Sequence, residues 1–178
     1  PPQGISDPTE TALLAAAEQA GLPTQSLARE VPRLAEFAFD SDRKRMTTLH
    51  HGGLGDYPLP PPLDAPVLAA VKGSPDGLLD LATHVLAGDR IVPLHDSARR
   101  HFLAANERMA AEGLRVLGFA FRRFQAPPPP GASTRDIEDQ RVFCGLAGLL
   151  DPPREDVRAA VATSHAAGIR TIMITGDH

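Results

Sequence analysis

Val67-Leu68-Ala69-Ala70-Val71-Lys72-Gly73-Ser74-Pro75-Asp76 is the stretch on which the fold turns. Residues 67–71 form a short apolar run of the kind that makes a buried strand. Ser74-Pro75 then opens a helix, with serine at the cap and proline at the first helical position, where its missing N–H is no loss. Lys72 and Gly73 are left at the strand end. N-terminal to this stretch, Leu34 to Phe39 reads as a strand with Phe37 and Phe39 on one face. Asp40-Ser41-Asp42-Arg43 then turns the chain, and Lys44 to His50 returns as a second strand. Residues 51–62, rich in Gly and Pro, read as a surface loop. Further back, Asp7-Pro8-Thr9-Glu10 starts a helix: Asp7 is the cap, Pro8 follows it, and Glu10 stands where a capping-box acid belongs. Leu13, Leu14 and Ala17 give that helix an apolar face, and Gly21 ends it.

C-terminal to the deciding stretch, Asp96 is expected to cap a longer helix with Phe102, Ala105 and Met109 on its inner face and Gly113 at its end. Leu114 to Phe121 is a strand carrying Arg115, Leu117, Phe119 and Phe121 on one face. Pro127 to Pro130 is a stiff linker-like run, and the polar stretch after it reads as a mobile loop. Val142 to Leu150 is nearly all apolar, as in a strand buried on both faces. Asp151-Pro152-Pro153-Arg154 leads into a helix carrying Val157, Ala160, Val161 and Ser164, which stops at Gly168. Arg170 to Ile174 is a further strand. That strand–helix–strand order implies a right-handed crossover, with Thr175-Gly176-Asp177 at the carboxyl edge of a parallel strand, where open α/β sheets bind ligands.

The chain has 178 residues, enough for one good-sized core or two small ones. Its 18 Lys and Arg stand against 22 Asp and Glu, a balance that argues against a general nucleic-acid binder, which needs a basic stripe to neutralise phosphates. Cys144 is the only cysteine, so no intrachain disulfide forms and a reducing compartment fits. No apolar run reaches the about 18 residues that span a bilayer, and no signal peptide opens the chain. The start at Pro1-Pro2 and the stop at His178 read as the ends of a piece taken from a longer protein. A monomer is the default for such a piece.

Several chemistries are excluded by pattern. There is no Gly-Lys dipeptide and hence no Walker A loop, the glycines at 52, 53 and 55 lack dinucleotide-binding spacing, and no His/Cys set has zinc-ligand spacing. What remains is a set of cations near apolar strand ends. Lys72 either faces a cavity and meets an anionic or aromatic ligand, or snorkels from a strand end. Arg115, on an otherwise apolar face, needs a partner, which an internal salt bridge or a ligand would supply. Phe39 leading into Arg43-Lys44-Arg45 suits a base plus phosphates, although the pattern taken alone favours a core aromatic beside a solvated charged turn. The hydroxyl and amide of Thr175-Gly176, with Asp177, suit a phosphate and a magnesium ion.

Taken in order, these segments resemble those of the type II P-type ATPases, the class containing calcium pumps, over nearly the whole chain. Ser6-Asp7-Pro8-Thr9-Glu10 is similar to the GDPTE segment, residues 39–46 to F-S-x-x-R-K-x-M, and Lys72 to Asp76 to KGAPE. Arg115 to Ala120 is similar to the strand bearing a pocket arginine, residues 151–154 to the DPPR hinge, and residues 175–178 to the TGD segment. The resemblance implies an α+β nucleotide-binding domain over 1–141, its sheet largely antiparallel with packed helices. It implies that 142–178 begins a Rossmann-like phosphorylation domain of the haloacid-dehalogenase type, incomplete here. It implies ATP or ADP as ligand, with Mg2+ in the intact parent. Phe39 would stack on adenine, Lys72 with Gly73 would floor the pocket, and Glu10 with neighbouring Thr9 would accept from the adenine amino group or hold the pocket's cations. Lys44 would line the pocket, Arg115 would reach the phosphates, and Leu117 would cover the sugar or base. Asp151 and Arg154 would act at the hinge, Thr175 on the phosphate and Asp177 near magnesium. For Glu10 the capping role stands as the alternative.

Ser41 stands where calcium-pump relatives often carry a phosphate-contacting arginine. The DKTGT and GDGxNDxP segments do not occur, so the phosphorylated aspartate belongs to another part of the parent. The resemblance therefore implies a cytoplasmic domain of an integral membrane protein, partnered by the rest of the phosphorylation domain, the actuator domain and the transmembrane helices. It would bind nucleotide without turning over. Two rivals remain: a free-standing haloacid-dehalogenase-type phosphohydrolase with residues 1–141 as its cap, which needs its own nucleophilic aspartate in a D-x-D-type strand end and has no convincing one, and an interaction module that has lost nucleotide binding.

Overall fold

The computed structural model of the protein describes residues 7–51, 65–129, 131–150 and 156–172. The fold is α+β, built on a seven-stranded sheet. The elements are α1 (Pro8–Gln19), α2 (Thr24–Glu30), β1 (Arg33–Asp40), β2 (Arg45–His51), β3 (Val67–Gly73), α3 (Pro75–Leu81), β4 (Ala82–Ala87), β5 (Arg90–Pro93), α4 (Asp96–Ala111), β6 (Arg115–Phe124), α5 (Thr134–Glu138), β7 (Arg141–Leu149) and α6 (Val157–Ala166). The sheet order is β1-β2-β3-β6-β7-β4-β5. Among the described residues only β4 and β7 run parallel, and every other pairing is antiparallel.

The deciding stretch forms as its pattern predicts. β3 is buried on both faces over most of its length, and α3 starts with Pro75 at its first position. Side chains alternate across β3. Val71 enters a core with Leu78, Leu79, Ala82, Val85, Ala120 and Phe143, against which Phe102 and Leu103 of α4 pack. Phe102 meets Phe143 edge-on at 5.0 Å between ring centroids. Val67 and Ala69 join Leu49 and Ile137 in a second cluster, which α5 completes through Ile137. By this alternation α3, α4 and α5 all lie on one face of the sheet. Leu68, Phe121 and Val142 form a third cluster with Leu86 and Ile91 on the other face.

Four sequence expectations change. The stretch after the proline run is α5 rather than a mobile loop, started by a capping box in which the Ser133 hydroxyl accepts from the Asp136 amide and Asp136 answers the Ser133 amide. Ile137 and Glu138 anchor it, each 1% exposed. Asp96 is the first residue of α4 and His95 holds the cap position. Phe37 and Phe39 part company: the register slips by one residue between Phe37 and Asp40, so Phe37 packs in the second cluster while Phe39 is 65% exposed. Finally, β7 does not open a separate parallel unit but lies inside this sheet, antiparallel to β6 and parallel to β4.

The apolar run of β7 has a local explanation. Phe119 pairs with Gly145 and Ala120 with Phe143, leaving Cys144 as an extra residue in a bulge. The bulge resets the alternation, so Phe143 and Leu146, three residues apart, both pack on the helix-covered core. Of the expected strand over 170–174, residues 170–172 are irregular and the rest lie outside the described residues. No residue of α6 is buried.

Candidate functional site

One cross-strand row organises the sequence-predicted residues. Asp40 pairs with Arg45, Arg45 with Gly73, Gly73 with Gly118 and Gly118 with Leu146. Phe39, Lys44, Lys72 and Leu117 are each one residue from a member of this row. The topology thus gathers residues far apart in sequence at one end of the sheet, over three strand spacings or about 14 Å.

The local chemistry explains why. Asp40 closes the β1–β2 turn by accepting from the amides of Asp42 (3.0 Å) and Arg43 (2.8 Å), and its carboxyl is held below the usual aspartate range first by the Arg43 amide. The Lys44 amide returns to the Asp40 carbonyl at 2.7 Å, with Lys44 in the left-handed region at φ 50°. Its carbonyl then accepts from the Ser74 amide at 2.9 Å, which ties the turn to the end of β3. Gly73 makes this approach possible, because a Cβ there would lie 2.5 Å from the Lys44 carbonyl oxygen. The row neighbouring it carries Met46, Lys72, Phe119 and Gly145 in register. Lys72, Phe119, Leu117 and Arg115 fall on the face opposite α3 by alternation.

α1 reaches that same face. Asp7 caps it through the Thr9 amide at 2.8 Å. Glu10 leaves the cap alone and pairs with Lys72, Oε1 to Nζ at 3.0 Å; the two side chains are 51% and 25% exposed. The Asp7 carboxyl is held below its ordinary range by the Thr9 hydrogen bonds, with smaller contributions from Arg115 and Lys72. Arg115 is exposed and makes no ion pair with another described residue. Lys44 is exposed as well. Among the exposed large apolar side chains of the described residues, Phe39 is the aromatic one. An uncovered ring, an open lysine–glutamate pair and a free-standing arginine on one face suit a planar, anionic ligand better than an internal salt-bridge network.

Sequence reasoning missed Glu138. It is 1% exposed, and its carboxylate accepts from Arg43 Nη1 (2.5 Å), Arg45 Nε (2.6 Å) and Thr47 Oγ1 (2.7 Å). Burial raises its carboxyl, but these three donors outweigh burial and hold it below the usual glutamate range. Arg141, fully buried, donates Nε to the Glu138 carbonyl at 2.5 Å. Burial lowers the Arg141 guanidinium to about 10. A polar segment read as a loop gave no sign of this, and only the buried Ile137 beside Glu138 carried a signal. The predicted residues Asp151, Arg154, Thr175 and Asp177 lie outside the described residues. Among the described residues no group of three or more His, Cys, Asp or Glu comes together as metal ligands, and no helix is long and apolar enough to cross a membrane.

An α+β domain with α3, α4 and α5 on one face of the sheet and, on the other, a cation-lined end that α1 reaches is the class that fold and site define. The chain belongs to the family described as P-type ATPase, cytoplasmic domain N, whose profile matches residues 3–156. It is 37% identical over 172 residues to the Calcium-transporting ATPase 1 of Bacillus cereus, covering 97% of this chain and 18% of that protein. It is 41% identical over 175 residues to the Cation-transporting ATPase pma1 of Synechocystis, covering 98% of this chain and 18% of the relative. A third relative, the Probable cation-transporting ATPase F of Mycobacterium tuberculosis, is 38% identical over 183 residues, covering 99% and 18%. The chain spans less than a fifth of the length of these relatives.

Proposed function

We propose that this chain is the nucleotide-binding domain of a cation-transporting pump and that ATP and ADP bind on the face of the sheet shared by Phe39, Lys72 and Arg115. The observation that carries this reading is the cross-strand row that sets Phe39, Lys44, Lys72, Gly73 and Leu117 within one residue of a single line. Phe39 offers a ring for the adenine to stack on. Lys72, oriented by Glu10 at 3.0 Å, lies on the base side, and Thr9 fixes the start of α1 through the Asp7 cap. Arg115, three residues before Gly118 on β6, stands about 10 Å further along the strand and takes the phosphates with its planar fork. Leu117 covers the sugar between them. Gly73 acts through the backbone, by letting β3 meet the β1–β2 turn.

In the whole protein the γ-phosphate passes to an aspartate outside this chain, and the domain's task is positioning and charge neutralisation. Asp151 and Arg154 serve the hinge, and Thr175 and Asp177 the phosphate and Mg2+ in a following phosphorylation domain. Since β7 belongs to the sheet, we place the boundary after Leu149 rather than after Arg141. The remaining phosphorylation domain, the actuator domain and the membrane helices are its partners, and calcium is the ion we propose, in keeping with the names of several relatives.

The test is calorimetric titration with ATP, ADP and AMP, run beside assays of ATP and p-nitrophenyl phosphate turnover. The reading expects ATP and ADP to bind, ATP and ADP more tightly than AMP, with no turnover of either substrate. Turnover of the phosphoester favours the phosphohydrolase instead, and neither binding nor turnover favours an interaction module.

A further inference from the structure

Glu138 lies behind the sheet, on the face opposite the one read as the nucleotide site. Its carboxylate nonetheless holds both arginines that flank Lys44: Arg43 Nη1 at 2.5 Å and Arg45 Nε at 2.6 Å. Each arginine passes the constraint on. Arg43 donates a second nitrogen to the Ala38 carbonyl at 2.9 Å, next to Phe39, and Arg45 Nη1 donates to the Arg43 carbonyl at 2.9 Å. Thr47 at 2.7 Å fixes the carboxylate against β2, and Arg141 holds the Glu138 carbonyl from below at 2.5 Å. One buried anion, more than ninety residues away in sequence, thereby sets the path of the chain from Ala38 to Thr47. Short exposed turns otherwise sample several conformations, and a ligand that needs one of them loses affinity by the fraction of time it is absent.

We propose that Glu138 is a positioning residue of the nucleotide site, fixing from behind the sheet the β1–β2 turn that presents Phe39 and Lys44. The inference rests on the nucleotide reading given above and adds to it a residue that touches no ligand. Its partner chemistry is specific: a carboxylate serves three donors, whereas the amide of glutamine turns an N–H2 toward a guanidinium.

ATP affinity is measured by titration of the full chain for wild type, Glu138→Gln, Phe39→Ala and the double variant, at a temperature where circular dichroism shows each folded. Glu138→Gln is expected to weaken ATP binding about tenfold, the scale at which remote network residues act. The losses are expected to be non-additive, with Phe39→Ala costing little more in the Glu138→Gln background, because a ring already out of place has little left to give. A merely structural role lowers the unfolding temperature and leaves the affinity of the folded protein and the additivity intact; that result overturns the proposal. If Glu138→Gln fails to fold, Thr47→Val removes only one of the three donors and is expected to weaken ATP binding about threefold while moving the amide signals of Asp40 to Lys44; wild-type affinity in that variant overturns the proposal. A wild-type chain that does not bind ATP overturns the nucleotide reading and this inference together. Binding by wild type that Glu138→Gln matches overturns this inference alone.

Discussion

Replacing Gly73 with alanine should damage the site through the backbone. The new Cβ would stand 2.5 Å from the Lys44 carbonyl oxygen, 2.5 Å from Arg45 Cβ and 2.8 Å from Arg45 Cα. Two of these three atoms are main chain and cannot swing aside. Restoring an ordinary contact of about 3.5 Å requires β2 and β3 to part by roughly 1 Å at this end. That movement pulls the Ser74 amide off the Lys44 carbonyl, a 2.9 Å hydrogen bond. Overpacking costs about 1–3 kcal/mol and the lost hydrogen bond about 1 kcal/mol, so the variant should be destabilised by about 2–4 kcal/mol. For a domain of this size that lowers Tm by roughly 6–12 °C. Gly118→Ala is the internal comparison. Its Cβ would meet Leu78 Cδ1 at 3.2 Å, Pro75 Cα at 3.2 Å and Phe143 Cε2 at 3.3 Å, contacts a small adjustment relieves at about 1–2 kcal/mol. Thermal and urea unfolding of both variants measures this. A Gly73→Ala protein as stable as wild type, or less affected than Gly118→Ala, refutes the close-approach argument.

Further outcomes follow from the same structure. Phe143→Ala removes a fully buried ring that packs on Phe102 at 5.0 Å and should cost about 3–5 kcal/mol in urea unfolding; a loss under about 1 kcal/mol would contradict its place at the centre of the core. Because the Glu138 carboxyl titrates below its unfolded value, its stabilising contribution is fully present above the ordinary glutamate range and is lost as pH falls through the lower, folded value. The Tm advantage of wild type over Glu138→Gln should therefore shrink on acidification from pH 7 toward pH 3, and a gap that widens would reverse the sign of this account. The Glu10–Lys72 pair, half exposed on the glutamate side, should show a coupling of no more than about 1 kcal/mol in a stability double-mutant cycle, weakened by salt; a coupling twice that would mean a desolvated pair.

Much of this architecture was legible in the sequence because the signals were local. The Asp7 cap, Pro8 and Pro75 at first helical positions, and the apolar run of β3 each act within a few residues, and each forms as read. What was hidden depends on register or on distant partners. The separation of Phe37 from Phe39 comes from a slip against β2, which alternation within β1 does not reveal. The nearly all-apolar run 142–150 suggested a strand of a parallel unit, whereas the bulge at Cys144 explains why both Phe143 and Leu146 turn to the helices. At the candidate site, Glu10 pointed to a pocket role with a capping box as the alternative, and only tertiary packing brought it to Lys72. Glu138 sat in a polar segment whose one buried-type residue, Ile137, gave too little pattern to mark a helix.

A nucleotide on the Phe39–Lys72–Arg115 face is detected by backbone amide shifts during titration with ATP, ADP and AMP, recorded for wild type beside Phe39→Ala. A nucleotide seated there predicts saturating shifts in Phe39, Lys44, Lys72 and Arg115, shared by all three nucleotides near Phe39 and growing with phosphate number near Arg115. It also predicts that Phe39→Ala, replacing a ring that is 65% exposed, weakens binding by about tenfold with little change in Tm. A well-folded wild-type chain whose amides do not move at millimolar ATP, or move only on the α3–α4 face, would contradict it.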